Sequence, residues 1–473
     1  MDEKTFVWNG INAETGDYLL RPKTWDELVD CILGGIDCAR ARAGRLEKEV
    51  RALESEELPQ RRGEPPPDVD VADLASTGWG VIFAQTDDGT AREGLAELLD
   101  HRRFQAGNRY QEFLGEGGYR QGDDRNRWLS RHGLGPGIGD PDRVPYYLLI
   151  AGEPSDVPFD FQFDLGARYA VGRIAFETRE EYERYARNVL EAESAPSRPR
   201  EVTFFGVQNP DDPATAGKLR HMILPLLKQV DGAVPNWEVK EVLREAAAKA
   251  RLGELLGGAE TPAVLFTTSH GMAPGQEGRL LDRVGALLCD EYPGPETWRG
   301  RGPIPPEFYF AARDVSEEAD LRGLVAVLIG CYTVGMPEHD SFCVVPPRRL
   351  GPRPMISPLP RRLLGKERGV VAVIGHVDRL WDFSYVWEKA GSQPQTFKAV
   401  LNCLLAGQPV GAAARFLGDR YADLGLDLKR ILLDFVLGRE VDRKRLAELW
   451  VAEADARSYM LLGDPAARIG AMR

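Results

Sequence analysis

Short apolar runs alternate with amphipathic stretches along most of the chain after residue 78. The runs are rich in β-branched residues and end at Gly or a polar residue, as expected of parallel strands buried on both faces. They cover residues 78–85, 145–152, 167–176, 201–207, 263–271, 323–331 and 369–377. Helical stretches of about 10–15 residues between strands indicate right-handed βαβ units. The pattern therefore predicts an α/β protein with a mainly parallel sheet flanked by helices.

The two ends of the chain have a helical pattern. Apolar residues recur at spacings of three and four from Trp25 to Leu58, with a predicted break at Gly34–Gly35, and a linker rich in proline and charge follows at 60–70. We expect this arm to pack on the core as a small helical subdomain rather than to mediate self-association. Further helices are predicted at 396–407, 409–424, 426–438 and 442–458. The predicted domains are an N-terminal helical arm and linker (1–70), a first α/β subdomain (71–200) and a second one (201–473).

Composition and charge narrow the function classes. The chain has 60 Lys and Arg against 73 Asp and Glu, a net charge of −13, which argues against a nucleic-acid partner. No apolar run approaches the roughly 18 residues of a membrane span, and no signal peptide pattern opens the sequence. Six scattered cysteines without a CxxC pair, and only six histidines, predict reduced thiols, no metal site and no cofactor. We expect a cytoplasmic protein without a membrane partner.

Two predicted strands end in residues suited to nucleophilic catalysis. One ends at Ser269-His270-Gly271 and the other at Gly330-Cys331. Sites in open α/β sheets form beyond the carboxyl ends of strands, so a thiol nucleophile and a histidine that moves its proton could face one substrate there. The alternative is that Cys331 is a small buried residue and that His270 belongs to a turn.

This pairing resembles the caspase-like cysteine peptidases, which include caspases, gingipains, clostripain, separase and bacterial CHAT domains. Two further stretches are similar to gingipain-type sequences: 147–190, with its Tyr-x-x-Gly-Arg strand, and SYMLLGDPAARI at 458–469. The resemblance covers about 79–473. It implies a caspase-like fold, with a gingipain-like subdomain before the catalytic one, and a bacterial cysteine endopeptidase in a signalling or defence cascade.

The resemblance also implies roles for the site residues. Cys331 would attack the peptide carbonyl, His270 would protonate the leaving amine, and the amides of Gly271 and Cys331 would hold the oxyanion, with no third orienting residue expected. The motif around Cys331 departs from the caspase Gln-Ala-Cys-x-Gly pattern, since the next glycine is Gly335. The implied partners are protein or peptide substrates and an upstream activating protease or regulator.

Substrate-binding residues are predicted around this pair. Members of the family bind the side chain before the scissile bond by charge, and the gingipain-like segment places Asp164, or else Asp160, where a carboxylate would bind arginine. His376, at another strand end, and Trp381 after it are candidates for lining the same crevice. Residues 278–294 are predicted to form a hairpin beside the cleft.

Two other functions stay open from the sequence. One is a catalytically silent caspase-like scaffold whose arm binds a partner, and the other is a thiol amidase that acts on small substrates. A zymogen cleaved in the basic, proline-rich loops 60–67 or 344–354 is a further possibility. The acidic loops at 121–125 and 209–213 are too sparse to decide whether calcium is needed.

Overall fold

The fold is known from a computed structural model. It describes residues 10–20, 23–42, 70–135, 139–194, 198–230, 236–275, 278–340, 342, 348–387 and 390–470. The predicted arm beyond residue 42 and the loop at 60–67 lie outside these residues, as does the loop at 344–354 before Arg348.

The strands are mostly short and apolar. In chain order they are β1 (Ile11–Asn12), β2 (Trp79–Ile82), β3 (Tyr110–Phe113), β4 (Tyr147–Ala151), β5 (Ala170–Ile174), β6 (Glu201–Gly206), β7 (Glu238–Leu243), β8 (Val264–Thr268), β9 (Met272–Ala273), β10 (Leu287–Leu288), β11 (Tyr309–Phe310), β12 (Val325–Ile329), β13 (Gly335–Met336), β14 (His339–Asp340), β15 (Arg348–Arg349), β16 (Met355–Ile356), β17 (Ala372–His376), β18 (Val386–Trp387), β19 (Gly391–Ser392) and β20 (Tyr459–Gly463).

The helices separate these strands and extend the C-terminal part. They are α1 (Trp25–Arg42), α2 (Leu74–Thr77), α3 (Thr90–Gly94), α4 (Ala96–Ala106), α5 (Arg125–Arg131), α6 (Phe159–Gly166), α7 (Arg179–Ser194), α8 (Pro213–Lys218), α9 (Leu224–Val230), α10 (Lys249–Leu255), α11 (Pro295–Trp298), α12 (Pro358–Gly365), α13 (Gln395–Leu405), α14 (Val410–Val436) and α15 (Arg443–Arg457). None of the described helices is long and apolar enough to cross a membrane.

Ten strands form one central sheet in the order β3-β2-β4-β5-β20-β17-β12-β8-β6-β7. The strands from β3 to β20 are parallel to one another, and so are those from β17 to β7. The two sets meet where β20 and β17 pair in antiparallel fashion. The predicted α/β class with a mainly parallel sheet is confirmed. The predicted subdomains, divided at residue 200, therefore share one continuous sheet.

Alternate side chains of a strand belong to different apolar clusters, one on each face of the sheet. For this reason the strands are unbroken apolar runs in the sequence. In β4, Leu149 belongs to the largest cluster and Leu148 and Ile150 to another, all fully buried. Successive side chains of a strand point to opposite faces, so both faces of this sheet are covered. Burial on two faces leaves only the strand ends open to polar chemistry.

The C-terminal stretch that resembles gingipain-type sequences has a structural role. Its residues form β20 in the middle of the sheet, and the buried carboxylate of Asp464 follows directly. Asp464 accepts hydrogen bonds from Trp79 Nε1 at 2.8 Å and Arg102 Nε at 2.7 Å. Arg102 also pairs with Glu193 at 2.6 Å, so this cluster ties the last strand to β2, α4 and α7.

Several predicted elements differ from the structure. α1 runs through Gly34 without a break, and one helix, α14, replaces the two predicted at 409–424 and 426–438. The predicted hairpin at 278–294 is wrong, because β10 pairs with β11 at 309–310. The strand β20 was not predicted because its partners β5 and β17 lie far away in sequence.

Candidate active site

His270 and Cys331 follow the ends of two neighbouring parallel strands. β8 and β12 pair in register through Thr268 and Ile329, the last residue of each strand. Each candidate residue comes two positions later, so both emerge at the same edge of the sheet. This is the carboxyl edge, where side chains gather in α/β folds.

The backbones after the two strands are in close contact. A Cβ atom built on Gly271 would lie 1.8 Å from the carbonyl oxygen of Cys331 and 2.9 Å from its amide nitrogen. No side chain fits in that space, so the position requires glycine. The contact holds the residue after His270 directly against the backbone of Cys331.

The Cys331 thiol lies in a closed environment. Its side chain is fully buried, and its Sγ accepts a hydrogen bond from the amide of Leu380 at 3.2 Å. Burial raises the pKa of the Cys331 thiol to about 11, although Lys218 and the Leu380 amide act in the opposite direction. The resting sulfur is therefore a protonated thiol.

The turn that carries Cys331 is strained and tightly held. Tyr332 has φ +56°, a left-handed conformation that few non-glycine residues adopt. Its amide donates to Asp378 O at 3.0 Å, and its carbonyl accepts from Ser357 Oγ at 2.5 Å. Such strain persists only where the surroundings fix it, and it is common at functional sites.

A buried carboxylate holds the ring of His270. Nε2 of His270 lies 2.7 Å from Oδ2 of Asp212, and both side chains are fully buried. Although burial favours the neutral acid, the His270 ring and hydrogen bonds from His270, Thr215 and Tyr18 lower the pKa of Asp212. An ionised carboxylate only accepts hydrogen bonds, so it places the ring proton on Nε2. His270 Nδ1 is buried and has no partner among the described residues, which leaves it able to accept a proton.

The Asp212 contact corrects the expectation that no third residue orients the histidine. Asp212 caps the N-terminus of α8, where its side chain accepts from the amides of Ala214 and Thr215 at 3.2 Å. The Asp-Pro step at 212–213 is a signal for a helix start. Its use was not apparent in the sequence because it depends on β6 lying beside β8.

A buried lysine lies under the pair. The ammonium of Lys218 donates to the carbonyl of Ser269 at 2.9 Å, and the side chain is fully buried. Burial lowers the pKa of Lys218, while Cys331 and Asp212 oppose that effect. The lysine thus places a positive charge near the thiol. Lys218 was not predicted from the sequence as a residue of the site.

His376 and Trp381 lie near Cys331 in the fold, but their described contacts are internal. The ring of His376 is fully buried and its nitrogens lie 2.8 Å from Asp378 O and 2.9 Å from Asp455 O. Trp381 is 4% exposed and packs against Phe342, with ring centroids 4.6 Å apart. Neither side chain faces an open crevice in this structure.

Asp164 and Asp160 lie on α6. Asp164, near the end of this helix, is close to the start of β5, which runs antiparallel to β12 and therefore begins at the sheet edge where Cys331 lies. α6 leads into β5, which is three strands from β12, or roughly 14 Å at the usual strand spacing. Asp164 is half-buried, burial raises its pKa, and its Oδ1 accepts from Tyr421 at 3.5 Å. Asp160 is exposed. The structure does not bring either carboxylate next to Cys331.

The segment predicted to lie beside the cleft does adjoin His270. The amide of Leu288 donates to the His270 carbonyl at 3.0 Å, and the amide of Met272 donates to Ala286 O at 3.0 Å. Tyr292 and Trp298 extend this wall. Residues 278–294 therefore form one side of the site. Their strand β10 pairs with β11 and not within an internal hairpin.

No protein-family model matches the chain, and no curated protein matches it. Among solved structures, the chain is similar to the Arg-specific cysteine proteinase gingipain R, with 11% identity over 86% of this chain and 80% of that chain and a TM-score of 0.43. It is also similar to a protease, with 12% identity over 84% and 79% and a TM-score of 0.47. A third similarity is to the complex of Porphyromonas gingivalis RgpB pro- and mature domains, with 10% identity over 83% and 79% and a TM-score of 0.42.

Proposed function

We propose that the protein is a cysteine endopeptidase in which Cys331 is the nucleophile and His270 moves the proton. The observation that carries the proposal is the placement of His270 and Cys331 at adjacent strand ends, with Gly271 pressed against the Cys331 backbone. The Asp212 contact adds to it, because a third group that orients the base is typical of an activated nucleophile.

The residues supply each step of peptide hydrolysis. His270 Nδ1 takes the proton from the Cys331 thiol as Sγ bonds to the carbonyl carbon, and Asp212 stabilises the resulting imidazolium. His270 then gives that proton to the leaving amine, the C–N bond breaks, and an acyl-thioester remains on Cys331. Water activated by Nδ1 hydrolyses the thioester and returns the thiol.

The oxyanion would be held by backbone amides. The amides of Gly271 and Cys331 lie at the junction of the two strand ends, where the carbonyl oxygen of a substrate bonded to Sγ would come. Preorganised amides of this kind stabilise the tetrahedral intermediate more than the planar substrate, which is what lowers the barrier.

For the residue before the scissile bond we propose arginine, with Asp164 as its carboxylate. The support is that Asp164 shares the catalytic edge of the sheet and that its Oδ1 accepts one long hydrogen bond, from Tyr421. Substrates that approach along this edge would have to extend across β17 and β20 to reach it. His376 and Trp381 would then shape the floor beneath the substrate through their buried contacts.

The alternative is a catalytically silent scaffold. The burial of both His270 and Cys331 favours that alternative for the resting chain, because no substrate can reach a side chain with no exposed surface.

A panel of fluorogenic peptides tests the proposal. The peptides differ only before the scissile bond (Arg, Lys, Asp or Ala) and are incubated with wild type, Cys331→Ala and the matched control Cys289→Ala, with and without calcium. Because Cys331 is fully buried in the resting chain, we expect no cleavage by the intact protein. Once the chain has been cut after Leu20 and the segment that lies against Cys331 at Gly10 has been removed, we expect cleavage of Arg peptides that disappears in Cys331→Ala and persists in Cys289→Ala. Cleavage that survives in Cys331→Ala would contradict the assignment of the nucleophile.

A further inference from the structure

A segment near the N-terminus covers the site. Residues 10–19, called the strap below, pass directly over Cys331: a Cβ built on Gly10 would lie 3.5 Å from Cys331 Sγ. His270 and Cys331 have no exposed surface. A substrate carbonyl and the backbone of Gly10 cannot occupy this space together.

The strap lies in the groove as an added strand. β1 pairs in parallel with β9, which begins two residues after His270, through Ile11 with Met272 and Asn12 with Ala273. The amide of Ala13 donates to Ala273 O at 3.1 Å. Addition of a strand to a free edge is a common way in which proteins hold an extended peptide. The strap thus uses backbone groups that an extended ligand at this site would use.

The strap also contacts Asp212, the carboxylate that orients His270. The hydroxyl of Tyr18 donates to Oδ1 of Asp212, the oxygen that His270 leaves free, and burial and Asp212 raise the pKa of that hydroxyl. The Tyr18 ring meets the His270 ring edge-on, with centroids 6.0 Å apart. The strap therefore contacts Cys331 through Gly10 and both Asp212 and His270 through Tyr18.

The ion pairs that hold the outer side of the strap are exposed and weak. Glu14 pairs with Arg279 at 2.7 Å and Asp17 with Arg299 at 2.9 Å, and both arginines are more than half exposed. Exposed ion pairs contribute little to stability. Ile11 is the main apolar anchor, since it is fully buried in a cluster with Met272 and Tyr292. Displacement of the strap would expose this cluster but would leave the central sheet intact.

We propose that the strap is an autoinhibitory segment, which holds the groove that an extended peptide substrate needs and must leave before Cys331 can react. The inference rests on the proposed function, because only an enzyme can be autoinhibited. The shielding of the Cys331 thiol by the strap can nevertheless be measured without any peptidase activity.

Site-resolved alkylation of Cys331 tests the inference. Iodoacetamide is added to wild type, Ile11→Glu and the control Thr15→Glu, and labelling at each cysteine is followed by mass spectrometry. A carboxylate cannot stay buried among Met272 and Tyr292, so Ile11→Glu should release the strap and speed alkylation of Cys331 at least tenfold. Thr15 is exposed, so its variant should stay within about twofold of wild type.

Alkylation of Cys289 distinguishes release of the strap from unfolding. Cys289 is fully buried and belongs to the largest apolar cluster, which Ile11 does not join, so its labelling should stay slow in all three proteins. If Ile11→Glu labels Cys331 no faster than wild type while it remains folded, the proposal is overturned.

A second version of the experiment applies if the Ile11→Glu variant unfolds. A cleavage site for a sequence-specific protease is placed between Leu20 and Lys23, the chain is cut, and the released N-terminal peptide is removed. Cys331 should then react at least tenfold faster, and a synthetic peptide of residues 10–20 should restore protection. Unchanged labelling after removal of the peptide would refute the strap.

The two proposals fail in different ways. If Cys331 is labelled fast in the strap-free protein but no peptide is cleaved, shielding by the strap is supported and the endopeptidase proposal is contradicted. If peptides are cleaved at equal rates with and without the strap, the endopeptidase proposal is supported and autoinhibition is contradicted.

Discussion

The carboxylate of Asp212 lies 2.7 Å from Nε2 of His270, and neither side chain is exposed. Residues 58 positions apart in the chain meet because α8 starts beyond β6 and His270 follows the neighbouring strand β8. The contact fixes the ring proton on Nε2 and leaves Nδ1 as the proposed base. It makes Asp212 the positioning residue of the proposed site.

Asp212→Asn should therefore impair proton transfer while it preserves the fold. An amide can donate to Nε2 and shift the ring proton to Nδ1, which removes the base. We expect kcat/KM of the strap-free protein to fall at least 10²-fold. Asp211→Asn is the matched control, because Asp211 is the exposed neighbour and its left-handed backbone suits Asn. Comparable losses in the two variants would argue against the role of Asp212.

Gly271→Ala should disrupt the site. The added Cβ would meet the carbonyl oxygen of Cys331 at 1.8 Å, and backbone atoms cannot rotate away. We expect a loss of about 1–3 kcal/mol in the free energy of unfolding, together with altered reactivity of Cys331. Gly253→Ala is the control: it lies in α10, where the nearest atom is 3.7 Å away, and alanine favours helix. Equal denaturant midpoints for Gly271→Ala and wild type would contradict the close contact.

The alkylation rate of Cys331 should depend on pH in a specific way. A buried thiol with a pKa of about 11 stays protonated through neutral pH, and the thiolate fraction rises about tenfold per pH unit up to that value. The rate in the intact protein should therefore still be rising at pH 10, whereas an ordinary thiol levels off near pH 9. A plateau below pH 9 in the intact protein would contradict the closed site.

Lys218→Met should make that thiol still less acidic. The lysine lowers the pKa of Cys331 through its charge, so an apolar side chain of similar length should raise it further. We expect slower alkylation of Cys331 at every pH below the plateau and an unchanged rate at Cys289. If the pH profile does not move in a folded variant, Lys218 acts only through its hydrogen bond to Ser269.

Acid stability should depend on Glu193. Burial opposes its ionisation, but Arg102 and His101 lower its pKa to about 2, so the folded state favours the carboxylate. A depressed carboxyl pKa contributes stability above the unfolded value near 4.5, and the contribution is lost as pH falls from about 5 to 2. The shift corresponds to about 3 kcal/mol. Glu193→Gln should flatten the dependence of the unfolding free energy on pH over that range, whereas Glu183→Gln on the same helix should not.

Much of the fold follows from the sequence because parallel strands buried on both faces leave an unmistakable apolar pattern. That pattern placed His270 and Cys331 at strand ends, and the order of β8 and β12 brings them to one edge. Asp212 was missed because its role depends on which strands are neighbours, a property that local pattern does not reveal.

The strap was missed for a related reason. Gly10 contacts Cys331 and Tyr18 contacts Asp212 over large separations in sequence, 194 residues in the case of Tyr18, and such contacts leave no periodic signal. β20 escaped prediction in the same way, since an inserted antiparallel strand is fixed by distant partners. Local propensity predicts elements, whereas long-range contacts decide which residues share a site.

The central claim is that Cys331 is a nucleophile activated by His270 once the strap has left. The most direct measurement is reaction of the strap-free protein with an electrophilic peptidyl ketone that ends in arginine, with the adduct located by mass spectrometry. The account predicts one adduct, on Cys331, that is lost in His270→Ala and blocked by the peptide of residues 10–20. An adduct that forms equally well in His270→Ala, or no adduct at Cys331, would contradict it.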